Sequence, residues 1–389
     1  MGSTGSIGTQ SLEVIDEMRS MRGENSGDYN VFALCANNNV ELLENQVRKF
    51  KPEFCVVYDE SSANDLRIKL KDTSTKILSG IDGINFIASH EKTDYVINAL
   101  MGEIGLRPTL TAIRAEKSVG LANKETLVAA GDIVKAEAKK SGADILPIDS
   151  EHCAIWQCIQ GENKQDTEKL ILTASGGPFY GRKREDLQKV TVADALRHPT
   201  WKMGKKITVD SATMMNKGLE LIEACHLFDV SPDNVDIIIH RESIIHSLVQ
   251  FIDKSVKAQL SLPDMKLCIQ YALTYNNSGG KREKSKCKEL DLTELKNLSF
   301  AKPDDETFIF PELARFAIKE GGILPAVMNA ANEIAVGLFL KEKIKFLDIF
   351  DSVKKTVADW EHKNIKNPNI DDIIESAEDV KRNFVSKYI

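Results

Sequence analysis

The sequence predicts an α/β protein built from more than one layered unit. Three observations carry that prediction. Short β-branched runs alternate with segments of helical spacing, glycine- and asparagine-rich turns separate them, and past a charged stretch near residue 280 helical spacing continues alone. Within residues 1–140 the runs are Val31-Phe32-Ala33-Leu34, Phe54-Cys55-Val56-Val57-Tyr58, Tyr95-Val96-Ile97-Asn98 and Ser118-Val119-Gly120-Leu121-Ala122. Between them Leu12, Ile15 and Met18, and again Leu110, Ile113 and Ala115, recur at helical spacing. This rhythm is that of a parallel sheet, whose strands need helical crossovers. A second α/β region, 141–275, adds Lys169–Thr173, Val235–Ile239 and Ser247–Phe251. Residues 276–298 carry turn formers and charges without an apolar period and read as an exposed linker. From 299 to 389 the spacing of Val327, Ala331, Ile334 and Leu338 predicts a small helical domain.

Composition sets outer bounds. With 389 residues, 42% hydrophobic and 28% charged, the chain has material for two or three domains. The 51 basic and 58 acidic residues leave a net charge of −7, which argues against general binding to nucleic acid or anionic membranes. Neither a bilayer-length apolar run nor a secretory signal is visible, so a cytoplasmic location is expected. The cysteines at 35, 55, 153, 158, 225, 268 and 287 form no Cys-x-x-Cys pair and read as reduced and structural.

Chemistry-bearing residues gather in two strings. Asp149-Ser150-Glu151-His152 follows the apolar run Ile145-Leu146-Pro147-Ile148. An extended backbone there sends the carboxylates of Asp149 and Glu151 off one face at a strand end. In the second string Asn216 and Glu220 are four apart and Lys217 and Glu220 three apart, so a helix presents all three on one surface, with Ser211 near its start. Three carboxylates without a His or Cys pair suit a hard divalent cation, Mg²⁺ or Mn²⁺ rather than zinc. Taken singly each has a structural reading: Asp149 caps a helix, Glu151 complements a first-turn dipole, and Glu220 pairs with Lys217. Their combination points to catalysis. His152 reads as a helix-start residue, and His240 and His246 as flanking a buried strand.

Near the start, Gly2-Ser3-Thr4-Gly5-Ser6-Ile7-Gly8 opens a helical segment, an arrangement whose amides cradle a dinucleotide pyrophosphate in a Rossmann-like domain. NAD sites place an acid after the second strand, whereas Cys35-Ala36-Asn37-Asn38-Asn39 has none, which leans toward NADPH. With no Arg or Lys there, Asn37, Asn38 and Asn39 would hold the 2′-phosphate through amide donors. Such a fold puts its central first strand just before the glycine turn, yet only Met1 precedes Gly2. The expectation is a truncated sequence or a cofactor domain that folds poorly.

The motifs resemble those of the 1-deoxy-D-xylulose 5-phosphate reductoisomerase family of the non-mevalonate isoprenoid pathway. The likeness rests, in order, on Gly2–Gly8, Leu121-Ala-Asn-Lys-Glu125, Pro147-Ile-Asp-Ser-Glu-His152, Ala174-Ser-Gly-Gly-Pro-Phe179, His198-Pro-Thr-Trp-Lys-Met-Gly204 and Val209–Glu220. It implies conversion of 1-deoxy-D-xylulose 5-phosphate to 2-C-methyl-D-erythritol 4-phosphate, using NADPH and Mg²⁺ or Mn²⁺, by a homodimer. It also implies that Asp149, Glu151 and Glu220 hold the metal and that Ser175, Ser211, Asn216 and Lys217 bind the substrate phosphate. Ser150 meets the hydroxyl and carbonyl end, and Lys124 orients Asp149 or a substrate oxygen near the nicotinamide. Residues 198–204 become a lid, with Trp201 over the substrate and His198 and Met203 lining its underside, while His246 approaches the substrate. Cofactor contacts fall on Thr4, Gly5, Ser6, Ile7, Asn37, Asn38, Asn39, Asn123, Glu125 and Gly204. Family members carry Gly, a basic residue and Asn where this chain has Asn37, Asn38 and Asn39, which puts the strength of the NADPH preference in question.

The architecture expected is therefore α/β: a Rossmann-like NADPH domain (1–140) lacking its first strand, an α/β catalytic domain (141–275) with the metal and phosphate sites, a linker (276–298) and a C-terminal helical domain (299–389). Two other readings compete with it. Another two-domain NAD(P)-dependent dehydrogenase would not need the three-carboxylate set. A catalytically inactive, N-terminally truncated form would have no physical reason to keep Asp149, Glu151, Glu220, Lys217 and Trp201 together.

Overall fold

A computed structural model describes residues 1–22, 29–201, 203–276 and 279–389, with Arg22 described by its backbone alone. In chain order the elements are α1 (Ser6–Arg22), β1 (Ala33–Ala36), α2 (Val40–Phe50), β2 (Phe54–Val57), α3 (Glu60–Lys69), β3 (Lys76–Ser79), α4 (Gly80–Ser89), β4 (Tyr95–Asn98), α5 (Leu106–Arg114), β5 (Ser118–Leu121), α6 (Lys124–Ser141) and β6 (Ile145–Pro147). There follow α7 (Ser150–Cys158), β7 (Thr167–Ala174), α8 (Val192–Ala195), α9 (Lys205–Ala212), α10 (Met215–Phe228), β8 (Val235–Ile239), β9 (Ile245–Phe251), β10 (Val256–Leu260) and α11 (Met265–Thr274). The chain closes with α12 (Phe310–Glu320), α13 (Leu324–Leu340), α14 (Phe346–Glu361) and α15 (Ile370–Tyr388). Two compact units result: Met1–Thr126 with Val134–Asp149 and Asp264–Lys288, and Leu127–Ile133 with Ser150–Pro263 and Glu289–Ile389.

The first unit contains two three-stranded parallel sheets, β1-β2-β3 and β4-β5-β6. Alternation along the pleat sends Leu34, Ala36, Cys55 and Val57 into one apolar cluster with Leu12 and Ile15 of α1. Cys35, Phe54 and Val56 go to the other face, against Ile84 and Ile87 of α4. Both faces are covered, which is why these strands read as continuous apolar runs. β3 escaped that reading because Lys76-Ile-Leu-Ser is a half-exposed edge with only two apolar residues. Met1–Ser3 alone join the two sheets. The N–H groups of Gly2 and Ser3 donate to the Cys35 carbonyl, while the Met1 ammonium donates to Ile97 and the Ala99 N–H to Met1. Helix α11 belongs to this unit. It packs on α1, Lys266 pairs with Glu13 at 2.7 Å, and the Tyr95 hydroxyl donates to Ala272 at 3.0 Å. Of the linker, Glu283 and Lys284 are tied to α11 through the Gln270 amide.

The second unit is built on a mixed sheet, β10-β9-β7-β8, in which β7 runs parallel to β8 and antiparallel to β9. β10 was not foreseen; Val-Lys-Ala-Gln-Leu is an exposed edge strand with weak apolar signal. Helices α7 and α10 pack against the sheet, and α12 lies against α10 so closely that a Cβ at Gly218 would meet the Phe310 carbonyl oxygen at 2.9 Å. The terminal helices share an aromatic core. Phe346 meets Phe179 edge-on at 5.0 Å and also contacts Phe339 and Phe350, while Phe310 stacks on Phe350 at 4.8 Å. Buried Asp210 of α9 accepts from Asn332 of α13 at 2.8 Å, so the terminal helices also brace α9. Phe346→Ala removes the centre of the aromatic cluster and is expected to cost about 3–5 kcal/mol of stability. Urea unfolding of the two proteins measures it.

Candidate active site

Glu151, Lys217 and Glu220 form one cluster in the second unit. Lys217 and Glu220 stand three apart on α10, as the sequence predicts, and Glu151 lies in the first turn of α7. The Lys217 ammonium donates to both Glu151 and Glu220, the Asn216 amide donates to Glu220, and the Ser150 hydroxyl donates to Glu151 at 2.5 Å. Burial by itself lowers the Lys217 pKa, but the two carboxylates outweigh it and hold the group above its ordinary value. Two carboxylates, one of them fully buried, thus converge on a single positive centre. Their hard oxygen donors fit Mg²⁺ or Mn²⁺.

Two local expectations need correction. β6 ends at Pro147 and α7 begins at Ser150, so Glu151 leaves a helix rather than an extended segment shared with Asp149. Ser211 belongs to α9 instead of the start of α10. The chain breaks at Met214, which adopts φ +63°, and only then does α10 begin. Asp149 remains one peptide bond from α7, since consecutive Cα atoms lie about 3.8 Å apart. In the first unit its carboxylate pairs with Lys124 at 2.6 Å, as the sequence reading anticipated for that lysine.

Ser175, Ser211 and His198 also come together. His198 Nε2 is 3.0 Å from the Ser175 hydroxyl and 3.1 Å from that of Ser211. Its Nδ1 accepts the N–H groups of Trp201 at 2.9 Å and Thr200 at 3.3 Å, so the ring proton sits on Nε2 and points to the serines. Burial, aided by the Lys217 and Arg241 charges, holds the His198 pKa down to about 4. The loop carrying Ser175 packs tightly: Gly177 has φ +65°, and a Cβ there would meet the Ser211 carbonyl oxygen at 2.7 Å. Of the 198–204 segment, Lys202 lies outside the described residues, Trp201 and Met203 are half-buried, and Gly204 is the N-cap of α9. The Trp201 ring is 6.2 Å from that of His246, whose Nε2 donates to Ser261 at 3.2 Å and whose pKa burial lowers.

In the first unit Thr4–Ile7 enter α1, with the Gly5 N–H donating to the Gly2 carbonyl. Gly8 must be glycine, because a Cβ there would stand 2.1 Å from the Gly2 oxygen. Asn37, Asn38 and Asn39 are exposed just beyond β1, and the Asn39 carbonyl oxygen caps α2. Asn123 is buried as the N-cap of α6. Its amide donates to Leu100 and Gly102, and to Glu125 in the first turn.

Three residues went unmarked as site components. Fully buried His152 donates from Nε2 to the Glu220 backbone carbonyl at 2.9 Å, and its Nδ1 lies 3.1 Å from Glu223 Oε2. Arg241 donates to the carbonyls of Ser175 and Gly177, each at 2.9 Å, with its guanidinium over the Tyr180 ring. Adjacency of His152 to Glu151 was a signal for the first. Arg241 offered none, since its partners are backbone carbonyls distant in sequence.

A pH test follows from His198. In the unfolded chain its pKa returns to about 6.5, so between that pH and about 4 the unfolded state binds more protons and stability falls as pH drops. His198→Asn removes this contribution. Urea midpoints should therefore separate wild type from variant more at pH 7 than at pH 4.5.

Comparison with known proteins agrees along the whole chain. Family profiles match at residues 1–131 (1-deoxy-D-xylulose 5-phosphate reductoisomerase), 145–228 (1-deoxy-D-xylulose 5-phosphate reductoisomerase C-terminal domain) and 260–383 (DXP reductoisomerase C-terminal domain). The 1-deoxy-D-xylulose 5-phosphate reductoisomerase of Thermoanaerobacter sp. (strain X514) is 50% identical over 392 residues, covering 100% of this chain and 98% of that protein. That of Acetivibrio thermocellus is 49% identical over 375 residues, 96% of this chain and 94% of the relative. A crystal structure of DOX-P reductoisomerase in complex with NADPH, fosmidomycin and magnesium superposes with TM-score 0.91 at 41% identity, covering 100% of this chain and 97% of that one. The Zymomonas mobilis enzyme in complex with NADPH gives 0.89 at 40% identity, with 99% and 97% covered. With the carboxylate, lysine and serine positions on matched segments of the chain, this protein belongs to the 1-deoxy-D-xylulose 5-phosphate reductoisomerase family.

Proposed function

We propose that Asp149, Glu151 and Glu220 hold Mg²⁺ or Mn²⁺, and that Ser175, Ser211, Asn216 and Lys217 seat the substrate phosphate. The reaction is the family's NADPH-dependent conversion of 1-deoxy-D-xylulose 5-phosphate to 2-C-methyl-D-erythritol 4-phosphate, a step of isoprenoid precursor biosynthesis. The observation that carries the site assignment is the convergence of Glu151 and Glu220 on one positive charge, on matched segments of the chain. When bound, the divalent ion supplies Lewis-acid polarisation of the ketone, and NADPH supplies the hydride.

The remaining work falls to side chains. Lys217, Asn216 and the serine hydroxyls offer the phosphate one cation and three neutral donors, remote from the reacting carbons, so that binding energy serves positioning. His198, neutral with its proton on Nε2, orients the two serine hydroxyls. Lys124 orients Asp149, and Ser150 meets the hydroxyl and carbonyl end of the substrate. Trp201, with Met203 and His246, excludes water. Amides of Thr4, Gly5, Ser6 and Ile7 at the N-terminus of α1 bind the pyrophosphate, and Asn37, Asn38 and Asn39 grip the 2′-phosphate. Asn123, Glu125 and Gly204 complete the cofactor contacts. Residues 1–140, 141–275 and 299–389 serve as cofactor, catalytic and helical domains, joined through 276–298, in a cytoplasmic homodimer. Among the described residues no helix is long and apolar enough to cross a membrane.

The test is NADPH oxidation with 1-deoxy-D-xylulose 5-phosphate. Turnover should require Mg²⁺ or Mn²⁺ and vanish with a chelator, and Glu220→Gln should lower kcat by at least about a hundred-fold with the fold intact by circular dichroism. Full activity in the chelated enzyme or in Glu220→Gln would remove the metal assignment.

A further inference from the structure

The first unit contains a slot that the proposed chemistry does not use. β1 and β4 are edge strands of separate sheets, and both line a cavity of about 490 Å³. Strand alternation decides where their backbone groups point. The Phe32 and Ala36 carbonyls are taken on the β2 side, so Ala33 and Cys35 face the slot. The Asn98 carbonyl is taken on the β5 side, so Ile97 faces it from β4.

Met1 and Gly2 already sit in one end of this slot as strand residues. The Met1 ammonium donates to Ile97 and Met1 accepts from Ala99, the bonding pattern of a parallel bridge to β4. The next residue, Gly2, donates to Cys35 on β1. Consecutive residues bonding to opposite neighbours are the signature of an interior strand, so the gap is one strand wide, about 4.8 Å to either side. From Cys35 back to Val31 and from Ile97 back to Thr93 the slot is five residues long. Leu12, Ile15 and Leu273 line it, as do Ile87 and Ala88, and the apolar clusters containing Leu12 and Ile87 lie on opposite faces of β1. An occupant therefore needs apolar side chains on both faces. At the closed end stands the Met1 ammonium, whose pKa burial lowers and whose charge calls for an anion.

We propose that this slot is a parallel strand-acceptor site, which takes an extended, β-branched apolar peptide of about five residues whose terminal carboxylate pairs with the Met1 ammonium. The peptide runs parallel to β1 and β4 and joins their two sheets by backbone hydrogen bonds, a strand addition made on two edges at once. It stabilises the unit by mass action, because the unfolded chain has no slot.

The probe is acetyl-Val-Thr-Ile-Val-Leu with a free carboxylate, added to the 389-residue chain without cofactor or substrate. The expected result is a melting temperature that rises with peptide concentration and amide exchange that slows across 31–36 and 94–99. Capping the probe as its C-terminal amide should weaken binding about ten-fold. Replacing its central Ile by Pro, which removes a ladder donor, should abolish binding. A chain with the same five residues fused ahead of Met1 fills the slot in cis and should no longer respond to the free peptide. No shift with the free-acid probe would overturn the proposal. So would equal binding by the Pro peptide or by the fused chain, or protection confined to segments away from β1 and β4, since each marks nonspecific adsorption.

Discussion

Much of the second unit depends on two carboxylates sharing one lysine. Glu151 and Glu220 reach their positions from different helices, and without a cation between them their charges would repel in a poorly hydrated space. Lys217 supplies that cation from one turn before Glu220. The surrounding polar contacts serve the same end. Asn216 fixes the second oxygen of Glu220, Ser150 fixes that of Glu151, and His152 holds the backbone of Glu220 itself. Removing Lys217 would leave two anions unmatched, which costs more than the pair is worth when intact.

The serines beside this cluster are held by packing as much as by hydrogen bonds. Gly176 and Gly177 take left-handed φ values that let the loop after β7 press onto the end of α9. Arg241 closes the loop from behind by binding two of its carbonyls, and Phe179, three residues further on than Gly176, anchors it in the aromatic core of the terminal helices. A segment remote in sequence, α12–α15, thus sets the rigidity of a loop that carries Ser175. The helical end of the chain is part of the site's scaffold rather than an appendage.

Several features were legible because they depend on nearest neighbours along the chain. The strands at 54–57, 95–98, 118–121 and 235–239 lie within one residue of the runs that predicted them, since burial on the sheet faces imposes an apolar pattern. The spacing of Asn216, Lys217 and Glu220 placed them on one helical surface for the same reason. Where the signal was weak the reading failed: β3 and β10 are half-exposed edges, and edges are under little pressure to be apolar. The local conformations of Glu151 and Ser211 were misjudged because helix boundaries rest on capping and on a single left-handed residue, Met214.

By itself the sequence determined the α/β class, the donor types of the site, the family, and the gap before Gly2 where a central strand belongs. These are properties of composition, periodicity and ordered motifs. Only the tertiary structure decided that Glu151 and Glu220 meet on Lys217, that the proton of His198 faces Ser175 and Ser211, that Arg241 and His152 brace the site, and that α11 returns to the first unit. Each joins residues far apart in the chain, often through a backbone carbonyl, and a carbonyl is present at every position and leaves no mark in the sequence.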